Sequence, residues 1–541
     1  MAEKKEFSLA QVFQKMITRK SPDDAVAASE GGLKKTLGAW DLIILGVGAI
    51  IGSGIFAVVG IAAAGSADGT SPGAGPALVV SMIIAAIACV FSAFCYSEFA
   101  TMIPVAGGAY TYTFATLGEF AAWLVGWILM LEYVIAFIAV SCAWANYLMQ
   151  FLKGFGHILP AWIVNPPIWL VNDFQSATHI LSTQGIDYHS VIPSICGIPF
   201  SINLPAALII LFITLTLLKG TKDSTKMAAF MVALKLGIIG MFVLTGMFFI
   251  QPANWTPFAP NGFNGIFMGA FIIFFAYIGF DALATTAEEC KNPQKDLPIG
   301  IIGSLIVTTI VYTLVALVLT GIYATNKGSV DAAFLSAPVA FSISNVMHGW
   351  VAQAIPGFIS VGVLAGLTSV LLVMEMAATR ILYAMSRDNF LPKVFQKLDP
   401  KTNIPSLLTW TVCIVSIFGT LTLNLDAAAA LCNFGTFTSF IIVCVAILIL
   451  RKVDPDRPRP FKVPFCPWFP LAGIVSCGGL MIFSMVIAKG NSAKLSTELF
   501  LAWIIMGALI YATYGYQNNR KAENTVEEKE IAEKDEITVN I

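Results

Sequence analysis

Apolar runs about 20 residues long recur along this chain, parted by short polar segments, and they leave few folds open to it. Such runs are read at roughly 39–64, 76–100, 120–150, 201–218, 226–250, 263–285, 299–323, 353–384, 406–424, 427–450, 467–488 and 498–516. A helix needs about 20 apolar residues to cross a hydrocarbon core. The pattern therefore predicts an all-α membrane protein with about 12 transmembrane helices. The long third and eighth runs predict tilted helices. Alternating strands about ten residues long are absent, so a β-barrel fits poorly. Charged residues are only 12% of the chain, too few to coat a water-facing surface.

Positive charge tests the count. With the N-terminus inside, 26 of the 31 Lys and Arg fall on the cytoplasmic side. Lys153, Lys327, Lys489 and Lys494 fall outside, and Lys235 lies within a span. A bias this large predicts an even number of spans, both termini in the cytoplasm and a multi-pass protein of the cell membrane. An error of one span scrambles it. No apolar segment precedes residue 40, so no cleaved signal peptide is expected. The segments 1–38 and 517–541 read as cytoplasmic, and the acidic tail reads as solvated. Residues 151–200 form the longest external loop. Asn254-Trp255-Thr256 matches a glycosylation triplet, also on the outer side.

Chemistry-bearing motifs are sparse. The four histidines lie outside the apolar runs, and most of the ten cysteines lie inside them as small hydrophobes. No metal-ligand spacing, HExxH, GxSxG or Walker A pattern occurs. Gly52 to Ala57 satisfies GxGxxA, but no strand precedes it. No enzyme, cofactor, metal or nucleic-acid partner is expected, and the oligomeric state is not legible.

Two spans carry helix-weakening sequence at mid-depth. In span one, Gly52-Ser53-Gly54 stands about 20 Å along the helix at about 1.5 Å per residue. In span six, Gly279 stands about 16 residues in, followed by Asp281. Peptide groups freed at that depth find no partner in lipid, so a helix broken there must line a protected polar cavity. A half-helix N-terminus in such a cavity suits a carboxylate. Close helix packing is the other reading of the glycines. Two interruptions in corresponding positions of two five-span halves are the sequence sign of an inverted-repeat secondary transporter.

Gly48 to Phe56 resembles the first-helix signature of the amino acid–polyamine–organocation superfamily. Glu98 to Tyr110, Phe280 to Pro293, Thr379 to Asp388 and Arg459 to Pro464 resemble its bacterial cationic amino acid transporter branch. The resemblance implies a LeuT-type fold of five plus five inverted repeats, 39–250 and 263–450, with two extra helices in 467–516. It implies that Gly52, Ser53 and Gly54 take an amino acid's carboxylate, and that carbonyls of Ile50, Phe275, Ala276 and Ile278 take its α-amino group. Phe275 matches the family's aromatic gate.

Charged residues inside the membrane are functional by default. Lys235 lies near mid-depth in span five and must be neutral, paired or facing the cavity. In some relatives a lysine here stands where sodium-coupled members bind sodium, and Thr368 and Ser369 resemble the hydroxyl pair that ligates that ion. Proton coupling through Lys235 follows as a hypothesis, beside a purely structural lysine bound to span-one carbonyls. Glu132, deep in span three, partners Lys235, reads a substrate amine or hydrogen-bonds within the bundle. Glu375 favours a cationic substrate if it faces the cavity, or sits near the cytoplasmic end of a tilted helix. The expected function is proton-coupled amino acid symport by alternating access. Exchange, facilitated transport or sodium coupling within the same fold, and a channel or amino-acid sensor, are the alternatives.

Overall fold

The computed structural model describes residues 18–19 and 37–515, apart from 67–68, 70, 106, 156–158, 196–197, 220–223, 326–330, 348–350, 401, 403 and 488–490. The expected tail 517–541 and nearly all of segment 1–38 lie outside the described residues. The chain is nearly all helical. Its described strands are a two-residue antiparallel pair, Ser194–Ile195 and Ile198–Pro199, in the external loop.

Span one begins as helix α1, Ala39–Ile50, whose start is fixed by Gly38 N–H donating to Asp41 Oδ2 at 2.9 Å. It resumes as a π-helical turn, Gly54–Val58, and helix α2, Val59–Ala64, with a bend of 46° between the halves. There follow α3 (Leu78–Met102), α4 (Gly108–Thr116) and α5 (Glu119–Gly154). Next come α6 (Leu204–Leu218), α7 (Ser224–Gly246), α8 (Gly262–Ile273) and α9 (Pro293–Ile322). The last are α10 (Val351–Arg387), α11 (Ser406–Thr422), α12 (Leu425–Val453), α13 (Trp468–Ile487) and α14 (Asn491–Ile510).

Among the described residues nine helices are long and apolar enough to span a membrane, and the bent pair makes a tenth. The fourth and ninth predicted spans appear as α6 and α11, apolar helices of 15 and 17 residues. These are about 22–25 Å long, short of the roughly 30 Å hydrocarbon thickness. Large apolar side chains are exposed on their outer faces, including Leu208, Phe212, Ile414 and Phe418. Lipid is the natural solvent for that surface.

Packing sorts the helices into two groups. Helices α1, α3, α8 and α9 pack on one another, and α5, α6, α10 and α11 form the other set. Helix α7 touches both α1 and α10, while α12 touches α5, α3 and α13. A reciprocal clasp joins α14 to α5: Trp127 Nε1 donates to Trp503 O at 2.9 Å and Trp503 Nε1 to Trp127 O at 3.0 Å. Their rings stack at 4.4 Å.

The sequence stretches beginning at Glu98 and Arg459 meet at the ends of α3 and α12. The fully buried Glu98 carboxylate accepts from Arg451 Nε and Nη2 at 3.1 and 2.5 Å and from Val463 N–H at 2.6 Å. Arg459 Nε lies 3.4 Å away. This forked, charge-assisted contact pins the 454–467 loop beneath the bundle. The glycosylation triplet is corrected by its surroundings: Asn254 is buried, and its Nδ2 donates to Gly321 O at 2.9 Å and Ile322 O at 3.2 Å. An amide so engaged is not an acceptor for a glycan in the folded chain.

Removing one partner from a buried ion pair strands the other charge and costs about 3–5 kcal/mol. Glu98→Ala is therefore expected to lower the thermal unfolding midpoint of the purified protein, with Glu98→Gln in between. An unchanged midpoint in Glu98→Ala contradicts the pinning role.

Candidate functional site

Both interruptions expected from glycine placement are present. Helix α1 stops at Ile50, and Ile51 is extended, with φ −71° and ψ 101°. In span six, α8 tightens into a 3-10 turn, Phe274–Tyr277, and Ile278 is extended with ψ 141°. Gly279 follows at φ +119°, a conformation that side chains disfavour, before a second 3-10 stretch, Asp281–Glu289. A Cβ at Gly279 would sit 2.9 Å from Ala49 O, so one residue needs glycine for two reasons. The two broken segments touch main chain to main chain. A Cβ built on Gly54 would lie 2.3 Å from Ala276 Cα.

Each break leaves peptide groups without helical partners, and named side chains take several of them. Lys235, 1% exposed, extends from α7 so that Nζ donates to Gly48 O at 2.9 Å and Ile51 O at 3.0 Å. Its stem lies on α10 at Gly366, where a Cβ would come within 3.0 Å of Lys235 Cγ. Tyr312 of α9 places its hydroxyl 3.0 Å from Ile50 O and 2.9 Å from Ala276 O, bridging both breaks. Tyr147 of α5 donates to Phe56 O at 2.5 Å. Asp281 accepts from Gly279 N–H and from the Tyr133 hydroxyl, each at 3.1 Å.

The expected site residues sort as follows. Gly54 is brought against Ala276, Ile50 is joined to Ala276 through Tyr312, and Gly52, Ser53, Phe275 and Ile278 are buried beside the same breaks. Ser53 Oγ has no hydrogen-bond partner among the described residues. The carbonyls of Ile50 and Ala276 already accept from Tyr312, so a bound ammonium would have to share or replace that hydroxyl. Thr368 Oγ1 donates to Leu364 O at 2.7 Å and accepts from Trp144 Nε1 at 3.2 Å. Ser369 Oγ donates to Gly366 O at 2.8 Å, one turn from the point where the Lys235 stem meets α10.

For two residues the structure removes one of the readings that the sequence left open. Glu132 does not pair with Lys235, whose ammonium is spent on span-one carbonyls. It faces α12 instead, with Thr436 and Asp281 as neighbours. Glu375 does not face the broken segments. Its Oε1 accepts from Thr214 of α6 at 2.6 Å, and Cys413 of α11 stands beside it. Tyr312 and Tyr147 were missed in the sequence. Tyrosine belongs to the interfacial belts of a span, so Tyr312, about 20 residues into its helix, was a readable signal.

Comparison with known proteins adds an independent line. The amino acid permease family profile matches residues 37–510. The chain is 38% identical to the branched-chain amino acid permease BcaP of Bacillus subtilis over 507 residues, covering 93% of this chain and 98% of that one. It is also 38% identical to the methylthioribose transporter of Bacillus subtilis over 503 residues, 93% of this chain and 98% of that protein. Cationic amino acid transporter 9, chloroplastic, of Arabidopsis thaliana is 34% identical over 450 residues, 83% of this chain and 72% of the relative.

Because Gly54 meets Ala276 backbone to backbone, Gly54→Val must force the two breaks apart. At least a tenfold loss of reconstituted solute uptake is expected, with normal expression. Gly237→Ala is the control, since nothing lies within 4 Å of that Cβ. Full uptake by Gly54→Val would show that the close approach has no functional role.

Proposed function

Because the chain belongs to the amino acid permease family of the amino acid–polyamine–organocation superfamily, we propose that it is a proton-coupled amino acid symporter of the plasma membrane. It is a transporter and not an enzyme. The reading places the substrate's carboxylate on the N–H groups of Gly52 and Gly54 and the Ser53 hydroxyl. The ammonium lies near the carbonyls of Ile50, Phe275, Ala276 and Ile278, under Phe275. Support comes from the two broken segments, whose peptide groups face each other without the regular helical ladder. Repeats 39–250 and 263–450, with both termini cytoplasmic, accord with the 26 positive residues on one side.

One observation carries the coupling. Lys235 joins α7 to α1 through two hydrogen bonds at the break, with its stem against α10. Hydrogen bonds to a charged donor contribute about 1.5–3 kcal/mol each, against about 0.5–1.5 for neutral ones. Loss of the proton therefore weakens the link by roughly 2–3 kcal/mol, about 30- to 150-fold in a two-state equilibrium. Protonation in this way biases whether α1, with α3, α8 and α9, stays docked on the other group. Rocking of one group against the other alternates access to the site. Thr368 and Ser369 match the hydroxyl pair that ligates sodium in sodium-coupled relatives, and on this reading the protonated Lys235 takes that ion's place by repelling a second cation.

Relatives named for branched-chain amino acids, methylthioribose and cationic amino acids match this chain at 38, 38 and 34% identity. A panel of labelled solutes must therefore cover all three in proteoliposomes, with and without an inward proton gradient. Uphill uptake of an amino acid driven by the proton gradient, without sodium, is the expected result. Lys235→Ala is expected to abolish accumulation while leaving substrate exchange measurable. Uphill, pH-driven uptake by Lys235→Ala overturns the coupling assignment.

A further inference from the structure

A groove of about 680 Å³ opens between the start of α9 and the loop that Glu98 pins. Lys295, Ile299 and Ile302 form one wall, and Pro460 and Phe461 form the other. Phe461 is held rigid by stacking on Phe94, ring centres 6.0 Å apart. Neither wall belongs to the proposed transport site.

The groove continues an apolar stripe. Ile299, Ile306, Ile310, Leu314 and Leu317 are all exposed and recur every three to seven residues along one side of α9. In a protein that spans the membrane, this side meets acyl chains. Lys295 stands one turn before Ile299 on the same side, at the mouth. It is exposed and has no ion-pair partner among the described residues, and the same holds for Lys291 and Lys462. The nearby arginines are different: Arg451 and Arg459 are turned onto Glu98, and Arg457 lies 3.7 Å from Asp454. Asp296, the nearest acid on α9, is engaged with Asn292 N–H at 3.3 Å. The mouth is thus cationic while its walls are apolar and open to lipid.

We propose that this groove seats one anionic phospholipid, its phosphate on Lys295 and one acyl chain along Ile299 and Ile302. A basic pocket between elements at the cytoplasmic rim is the usual setting for an acidic headgroup, and each lysine near the surface strengthens attraction about fivefold. The lipid would wedge the pinned loop against α9, independently of which solute the protein carries.

The test is native mass spectrometry of the full chain, titrated with phosphatidylglycerol, phosphatidylcholine or soluble glycerol phosphate. Wild type is expected to retain one phosphatidylglycerol with at least fivefold preference over phosphatidylcholine. Lys295→Gln should lose most of that preference. Ile302→Trp, which fills the groove and keeps the lysine, should lose the bound lipid. Equal retention of both lipids by wild type, unchanged preference in both variants, or equal binding of soluble glycerol phosphate overturns the proposal.

Discussion

Lipid offers no hydrogen bonds, so a peptide group released from its helix in mid-membrane must find a partner inside the protein. Much of this architecture follows from meeting that demand at two places. The carbonyls of Gly48, Ile50, Ile51, Phe56 and Ala276 are met by Lys235, Tyr312 and Tyr147, reaching in from three other helices. Those helices cannot sit elsewhere without stranding the carbonyls. Small residues allow the approach: a Cβ at Gly48 would come within 2.4 Å of Val232 Cγ2 on α7.

The partners differ in what they connect. Tyr312 belongs to α9, in the same packed group as α1 and α8, so its bonds survive any rigid motion of that group. Lys235, Tyr147 and Tyr133 reach from outside that group. Their bonds are the ones a rocking motion must break or remake. Of the three, only the lysine is a cationic donor. The proposed proton coupling acts at this contact, where an ammonium joins the two groups. The Trp127–Trp503 clasp and the Glu98 cluster lie away from that boundary and fix peripheral elements instead.

The nearly all-helical, apolar architecture and the two breaks were legible because they follow from composition and glycine placement alone. Gly52-Ser53-Gly54 marked the end of α1 to within two residues, and Gly279 marked the turn in span six. Lys235 was legible because a charge at mid-depth needs a reason. Its span-one carbonyl partners were among the readings the sequence allowed. Side chains on α5, α7 and α10 meet only through tertiary packing, so the sequence left three readings of Glu132 open, and the fold removes the one that paired it with Lys235. The two readings of Glu375 stayed open for the same reason, since helical position does not say which neighbour a face meets. The bridging hydroxyl of Tyr312 went unseen because a single tyrosine does not interrupt a long apolar run, although its mid-helix place was a signal.

The central claim is that bare main-chain groups at residues 50–54 and 275–279 hold the substrate. Amide hydrogen exchange of the reconstituted protein, read by mass spectrometry with and without a saturating transported amino acid, addresses it directly. The account predicts faster exchange at Gly52–Gly54 and Ile278–Gly279 than in the flanking helices, and protection of those amides when substrate is bound. Exchange as slow as in the flanking helices, unaltered by substrate, would mean that the zwitterion is held elsewhere.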